Sequence, residues 1–122
     1  MTHHQPLALV VEDSPTQALE IVAALKSQGF QVVTAEDGVT GLEVAYQEHP
    51  VLIVLDVHLP EMNGYQLARE IRTLPGYEKV PMVAVTGYSM FDDRERSLNA
   101  GFTAHLTKPI EPRALLDLIE HL

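Results

Sequence analysis

Cysteine is absent from the sequence, which excludes disulfides, thiolate metal sites and cysteine nucleophiles. Long apolar runs are also missing, because none exceeds five residues and a membrane span needs about 20. The first residues, MTHHQP, lack the basic and apolar regions of a secretory signal. We therefore expect a cytoplasmic protein that does not interact with membranes.

Basic residues are scarce: eight Lys and Arg stand against 17 Asp and Glu, and the net charge is −9. The eight are scattered along the chain, whereas binding to a nucleic acid duplex needs several on one face. Direct nucleic acid binding is therefore not expected, and a cation or a basic partner surface suits this charge better. With 122 residues and no linker-like stretch, the sequence predicts a single domain over residues 1–122, without an output domain.

Short apolar runs alternate five times with segments of helical period, which predicts a strict β-α alternation. The predicted strands cover residues 7–11, 31–35, 51–55, 82–85 and 103–106, and the predicted helices cover 15–28, 37–49, 65–73, 91–100 and 111–122. This alternation calls for a parallel sheet with helices on both faces, hence an α/β fold. Five strands favour the flavodoxin-like doubly wound order 2-1-3-4-5. In the second helix, the pattern places Val39, Leu42, Ala45 and Tyr46 inward.

Acidic residues follow two of the predicted strands: Glu12 and Asp13 come after the first, and Asp56 comes after the third. In a doubly wound sheet, ligands lie at the carboxyl ends of the strands, between the first and the third. Two carboxylates about 4 Å apart repel by roughly 4 kcal/mol at an effective dielectric of about 20. A cation would relieve this repulsion, and oxygen ligands favour Mg²⁺, Mn²⁺ or Ca²⁺. The alternative for each acid alone is that it caps the following helix.

Thr86 and Lys108 end the fourth and fifth strands, at the same predicted edge as the acids. A hydroxyl, an ammonium group and a metal ion around one carboxylate suit phosphoryl transfer, which depends on positioning and charge neutralisation. The alternative is an ordinary strand-end threonine and a solvated lysine.

Six motifs in this order resemble the receiver domain of the two-component response-regulator family over essentially the whole chain. They are VVEDS, DG at 37–38, LDVHLPEMNGYQL, VTGYS, NAGF and LTKPI. The resemblance implies a signalling domain rather than an enzyme, although one that promotes its own phosphorylation and slow dephosphorylation. It implies that Asp56 accepts a phosphoryl group from a phosphohistidine of a sensor kinase or a phosphotransfer protein. The phosphorylated domain would then act on an unknown downstream protein.

The resemblance also implies a Mg²⁺ site, in which Mn²⁺ could substitute. Its ligands would be Asp13, Asp56 and the backbone carbonyl of His58, with Glu12 acting through water. Gly64, in the turn that closes the loop beneath the phosphoacceptor, would serve backbone geometry.

Further roles follow from the same resemblance. Lys108 would pair with Asp56 and then with the phosphoryl group, and Thr86 would be the switch hydroxyl. His105 stands where the family usually has Tyr or Phe, so it would act as the second switch residue or simply pack as a partly buried histidine. His58 and Tyr88 would border the phosphoryl site and tune dephosphorylation, or form a solvent-facing rim. The implied partner surface includes Asp92, Asp93, Arg94, Arg96, Arg113 and Asp117.

Two other classes of protein share parts of this pattern. A phosphatase of the haloacid dehalogenase class needs a second aspartate two residues after the nucleophile, where this chain has His58. A flavodoxin needs a phosphate loop rich in Ser, Thr and Gly after the first strand, where this chain has EDSPTQ. Two alternatives remain within the receiver class: a module cut from a hybrid sensor kinase or larger regulator, and a degenerate receiver that only binds partners.

Overall fold

The computed structural model describes residues 5–59, 62–87 and 99–121. Its elements are β1 (Leu7–Val11), α1 (Pro15–Ser27), β2 (Gln31–Ala35), α2 (Gly38–Glu48), β3 (Leu52–Asp56), α3 (Gly64–Thr73), β4 (Met82–Thr86), β5 (Ala104–Thr107) and α4 (Pro112–Glu120). The five strands are parallel and lie in the order β2-β1-β3-β4-β5, which confirms the predicted flavodoxin-like α/β fold. The helix predicted over residues 91–100 lies outside the described residues except for its last two, which are helical. Among the described helices, none is long and apolar enough to cross a membrane.

The two faces of the sheet each carry a hydrophobic core, because successive side chains of a strand point to opposite faces. Leu9 and Ile53 pack with buried residues of α2 and α3 on one face. Val10 and Val54 pack with α1 and α4 on the other face. The central strands are thus covered on both sides, so only their ends reach solvent.

Polar side chains fix the points where three helices begin. Ser14 Oγ accepts a hydrogen bond from Gln17 N at the start of α1 (3.4 Å), and Asn63 Oδ1 accepts one from Gln66 N at the start of α3 (2.8 Å). At α2, Asp37 accepts a hydrogen bond from the backbone of Thr40, which lowers the pKa of Asp37. Such caps satisfy the free N–H groups at helix starts.

Helix α2 lies closer to the sheet than the sequence pattern indicated. The prediction of inward side chains is wrong for two of the four residues, because Val39 is 53% exposed and Tyr46 is 67% exposed. The reason is that glycines occupy the inner face. A Cβ at Gly41 would lie 2.9 Å from Val11 Cγ2, so the helix backbone itself rests on β1. The periodicity identified the helix, but apolar residues on its outer face were mistaken for core.

Arg72, near the end of α3, connects the segments that precede β4 and β5 at the amino-terminal edge of the sheet. Its guanidinium donates hydrogen bonds to the carbonyl oxygens of Tyr77 (2.5 Å), Val80 (2.6 Å) and Gly101 (2.7 Å). Tyr77 is buried, and its hydroxyl donates to the carbonyl of Ala45 in α2. Burial lowers the pKa of Arg72 and raises that of Tyr77. This network joins α2 and α3 to the loops that precede β4 and β5.

Candidate functional site

The predicted acidic residues meet at the carboxyl edge of the sheet. Asp56 is the last residue of β3, and Glu12 follows β1 directly. These strands pair in parallel, so both acids reach the same edge. One carboxylate oxygen from each of Glu12, Asp13 and Asp56 lies within 4.8 Å of the others. Glu12 and Asp56 are buried at 3% and 2% exposure, whereas Asp13 is exposed.

Lys108 brings a positive charge to this cluster from the end of β5. Its Nζ donates to Asp56 Oδ2 at 2.7 Å and lies 3.4 Å from Glu12 Oε1. Its backbone N–H donates to the carbonyl of Thr86 at 2.8 Å, which fixes the residue beside β4. Burial lowers the pKa of Lys108, but the hydrogen bond and charge of Asp56, together with Glu12, outweigh burial and leave that pKa above its ordinary value. The ammonium group is therefore protonated at any physiological pH.

Glu12 has an unusual pKa for a carboxylic acid. Burial, followed by the hydrogen bond and charge of Asp56, raises the pKa of Glu12 from 4.5 to about 7. The backbone N–H of Ser14, which donates to Glu12 Oε2 at 3.2 Å, and the charge of Lys108 oppose this rise without cancelling it. Near neutral pH, the metal-free cluster therefore holds a proton on Glu12 in part of the molecules.

The loop after β3 holds Asp56 from below. The backbone N–H of His58 donates to Asp56 Oδ1 at 2.8 Å, and the N–H of Gly64 donates to the carbonyl of Val57 at 2.9 Å. A Cβ at Gly64 would lie 2.5 Å from Val57 Cα and 2.6 Å from the Asp56 carbonyl oxygen. Only glycine fits there, which confirms a backbone role for Gly64. The family resemblance implied the carbonyl of His58 as a metal ligand, but it gave no sign that the N–H of His58 would hold Asp56.

The remaining predicted site residues lie on β4 and β5 or outside the described residues. Thr86 is the last residue of β4, is 1% exposed, and lies on the strand next to Asp56. His105 is half-buried on β5, with its ring 6.2 Å from that of Phe102. The side chain of His58 is exposed. Tyr88 and the predicted partner-surface residues between 92 and 96 lie outside the described residues.

The chemistry of the cluster suits a divalent cation. The three nearby carboxylates offer hard oxygen ligands, which are the ligands that Mg²⁺ and Mn²⁺ prefer. Capping explains part of the position of Glu12, through Ser14 N, but not the convergence of three acids. A cation would supply the charge that Lys108 alone does not.

Comparison with known proteins agrees with this geometry. The chain matches the response regulator receiver domain family over residues 8–120. The protein belongs to this family. The receiver domain is 33% identical to the protein PilH of Pseudomonas aeruginosa over 111 residues, which cover 91% of this chain and 92% of PilH.

Solved structures show the same likeness. The chemotaxis protein CheY4 of Vibrio cholerae superposes on the receiver domain with a TM-score of 0.91 at 26% identity, covering 97% of this chain and 98% of CheY4. The receiver domain of sensor histidine kinase PA1611 from Pseudomonas aeruginosa superposes with a TM-score of 0.87 at 32% identity and 97% coverage of both chains. That structure has a magnesium ion coordinated in its active-site cleft. Receiver domains are phosphorelay signalling domains that bind Mg²⁺ and interact with histidine kinases and downstream proteins.

Proposed function

We propose that this receiver domain accepts a phosphoryl group on Asp56 from a phosphohistidine of a sensor kinase or phosphotransfer protein, in a step that requires Mg²⁺. The observation that carries the proposal is the buried carboxylate of Asp56, bound by Lys108 at 2.7 Å beside Glu12 and Asp13. A buried ion pair is a weak source of stability, so its presence at a strand end among other acids favours a chemical role.

In the proposed reaction, an oxygen of Asp56 attacks phosphorus, and the bond between phosphorus and the donor imidazole nitrogen breaks. The bonding electrons leave with the imidazole, and an aspartyl phosphate forms. A carboxylate has about four lone-pair directions, so the two hydrogen bonds from Lys108 and from His58 N do not exhaust it. Lys108 keeps Asp56 ionised and oriented, and afterwards neutralises an oxygen of the phosphoryl group.

The metal ligands in this proposal are Asp13, Asp56 and the backbone carbonyl of His58, with Glu12 acting through water. Bound Mg²⁺, or Mn²⁺, supplies charge neutralisation for the phosphoryl group during transfer. The buried Glu12 must then lose the proton that its pKa of about 7 allows it to hold in the absence of metal.

Phosphorylation would switch a partner-binding face through Thr86 and His105. The modification adds roughly −1.5 to −2 charges, which the Thr86 hydroxyl can approach as a hydrogen-bond donor. His105 is half-buried beside Phe102 and would change rotamer as Thr86 moves. Arg113 is exposed on α4, on the partner face implied by the family. His58 and Tyr88 would tune how fast water removes the phosphoryl group.

We propose a single receiver domain that acts through protein contacts, in a cytoplasmic location. The 32% identity to the receiver domain of a sensor histidine kinase supports the alternative of a module that relays phosphoryl groups within a larger protein. In both cases the chemistry at Asp56 is the same.

Intact-mass measurement tests the proposal directly. We expect wild type, incubated with Mg²⁺ and acetyl phosphate, to gain one phosphoryl group, and we expect none with EDTA. Asp56→Asn should gain none in either condition, while Asp117→Asn, an exposed acid on α4, should match wild type. An adduct on Asp56→Asn would place the acceptor elsewhere. The absence of an adduct with every phosphodonor, including a phosphohistidine protein, would favour a degenerate receiver that only binds partners.

A further inference from the structure

Met62, in the loop after β3, packs against the first residue of α2. A Cβ at Gly38 would lie 2.9 Å from Met62 Sδ, 3.0 Å from Met62 Cβ and 3.2 Å from Met62 Cγ. Gly38 is buried, so the Met62 side chain lies against a helix backbone that has no side chain of its own at this point. Met62 is half-buried and also packs against the hydrophobic core that α2 and α3 form on this face of the sheet.

Steric fit explains the glycine at position 38, whereas backbone conformation does not. The φ of Gly38 lies outside the left-handed range in which Gly29, Gly76 and Gly101 are found. Glycine is otherwise an unfavourable residue in a helix. An alanine at this position would place its Cβ against Met62 and displace it. Gly38 and Met62 therefore form a complementary pair.

This contact joins the loop that holds the phosphoacceptor to a helix that is itself fixed on β1. A Cβ at Gly41 would lie 2.9 Å from Val11 Cγ2, and Val11 is the last residue of β1. In the loop, the N–H of His58 donates to Asp56 Oδ1 at 2.8 Å. Through α2, the position of the loop after β3 is thus linked to the end of β1, where the first two acids of the cluster follow.

Hydrogen bonds fix the two ends of the same loop. Val57 N donates to a carbonyl of β4 at 3.0 Å, and Gly64 N donates to the carbonyl of Val57 at 2.9 Å. Between these ends, Leu59 is buried in the core and Met62 packs on α2. Side-chain packing as well as hydrogen bonding therefore sets the position of His58.

We propose that Met62 is a positioning residue for phosphoryl acceptance. By packing on Gly38, it holds in place the loop that orients Asp56. This inference rests on the proposed function, in which Asp56 attacks phosphorus and the carbonyl of His58 binds the metal. In-line attack tolerates little displacement, since a misplacement of about 1 Å can cost a factor of about 100 in rate. Met62 acts through the loop and takes no part in the chemistry itself.

Phosphorylation rates test this role. With Mg²⁺ and acetyl phosphate, followed by intact-mass measurement, we expect Met62→Ala to react about tenfold more slowly than wild type. Met62→Leu conserves the volume of the side chain and should keep most of the wild-type rate. Ile71→Val is the matched control, because it removes a methyl group from a buried residue of the same core. It should unfold at a lower temperature and keep the wild-type rate.

Gly38→Ala tests the contact from its other side. Its Cβ should displace Met62 and slow phosphorylation in the same direction as Met62→Ala. In the double variant Gly38→Ala/Met62→Ala, the displaced side chain is absent, so the double variant should react no more slowly than Met62→Ala alone. Slowing that multiplies to about hundredfold would show that the two residues act independently, and it would overturn the proposal.

Hydrogen exchange of the metal-free protein tests the positioning without phosphoryl chemistry. We expect the amides of His58 and Gly64 to exchange about tenfold faster in Met62→Ala than in wild type. The amides of β1 should keep their rates, which also shows that the variant folds. If wild type accepts no phosphoryl group, the proposed function fails, whereas faster exchange would still show that Met62 holds the loop.

Two further results would overturn the proposal. The first is unchanged amide exchange at His58 in Met62→Ala. The second is a phosphorylation rate of Met62→Ala that equals that of wild type, or that falls no further than the rate of Ile71→Val. Met62 would then fill the core without positioning Asp56.

Discussion

Glu12 and Asp56 both contact the ammonium group of Lys108, and the contact with Asp56 is the shorter one. Lys108 Nζ lies 2.7 Å from Asp56 and 3.4 Å from Glu12. Glu12, which is buried and has the longer contact, is the acid whose pKa rises to about 7. In the folded state its proton is therefore held more tightly than in the unfolded chain, where the ordinary value of 4.5 applies. Because the pKa of Glu12 differs between the folded and the unfolded state, the free energy of unfolding depends on pH.

The first prediction concerns Glu12 without metal. Stability from its raised pKa is fully present below the unfolded value of 4.5 and is lost as pH rises through about 7. In EDTA, we expect the unfolding temperature of wild type to fall between about pH 5 and about pH 8. Glu12→Gln removes the titration, so it should flatten this slope and raise the unfolding temperature at about pH 8 by a few degrees. Differential scanning calorimetry across this range measures both effects.

Glu111→Gln is the control, because Glu111 is exposed and precedes α4. It should retain the wild-type slope. A slope that Glu12→Gln leaves unchanged would show that another group titrates in this range.

Gly64 is a second residue whose role follows from distances alone. A Cβ there would lie 2.5 Å from Val57 Cα and 2.6 Å from the Asp56 carbonyl oxygen, so Gly64→Ala must push α3 away from the loop below Asp56. We expect a loss of about 1–3 kcal/mol in the free energy of unfolding, as overpacking typically costs. Urea denaturation measures it. Gly87→Ala is the matched control, since a Cβ at Gly87 would meet nothing within 4 Å, and it should cost less. Equal losses in both variants would contradict the steric argument.

At the scale of the element, α2 shows what the sequence could and could not predict. The pattern of residues predicted a helix over 37–49, and the observed helix spans Gly38–Glu48, with Asp37 as its cap. The pattern did not predict which face of α2 is buried. Periodicity alone cannot distinguish apolar residues that face the sheet from apolar residues that stay exposed when glycines occupy the buried face. Gly41 rests on Val11, so the helix approaches the sheet by its backbone and leaves Tyr46 outside. Interhelical and helix-sheet distances are tertiary properties, and a short periodic segment carries little information about them.

Arg72 connects α3 to the loops that precede β4 and β5, and the third prediction concerns this connection. Arg72→Met would leave the carbonyls of Tyr77, Val80 and Gly101 without their donor, at a cost of about 2 kcal/mol or more in the free energy of unfolding. Hydrogen exchange should show faster opening of the loops around residues 77–80 and 101–103. Arg69→Met, an exposed position on the same helix, should remain within about 0.5 kcal/mol of wild type. Unchanged exchange in Arg72→Met would mean that Arg72 does not hold these loops together.

At the scale of the whole molecule, strand order was the most predictable property. Strict β-α alternation and right-handed crossovers leave few arrangements, and the order 2-1-3-4-5 then places Glu12, Asp56, Thr86 and Lys108 at one edge. Which acid is buried was not predictable, because Glu12 and Asp13 are neighbours in sequence and differ only in the direction of their side chains. The N–H of His58 on Asp56 also depends on loop conformation, which no residue pattern encodes.

The fourth prediction concerns how much Mg²⁺ stabilises the fold of a protein with a net charge of −9. A ligand that binds only the folded state at about 100 times its Kd stabilises by about 2.7 kcal/mol. We expect saturating Mg²⁺ to raise the unfolding temperature by several degrees at about pH 8, and sodium chloride of equal ionic strength to raise it less. Asp13→Asn should lose most of the Mg²⁺ gain, whereas Glu20→Gln, an exposed acid on α1, should keep it. An equal gain in Asp13→Asn would place the cation elsewhere.

The order of residues along the chain has a consequence for synthesis. Glu12 and Asp56 leave the ribosome long before Lys108, which is 52 residues after Asp56 and follows the edge strand β5. An unfinished chain therefore carries the acids without the lysine that binds both of them. The cluster is therefore complete only after β5 has been made, and its acids remain without this counter-charge until then.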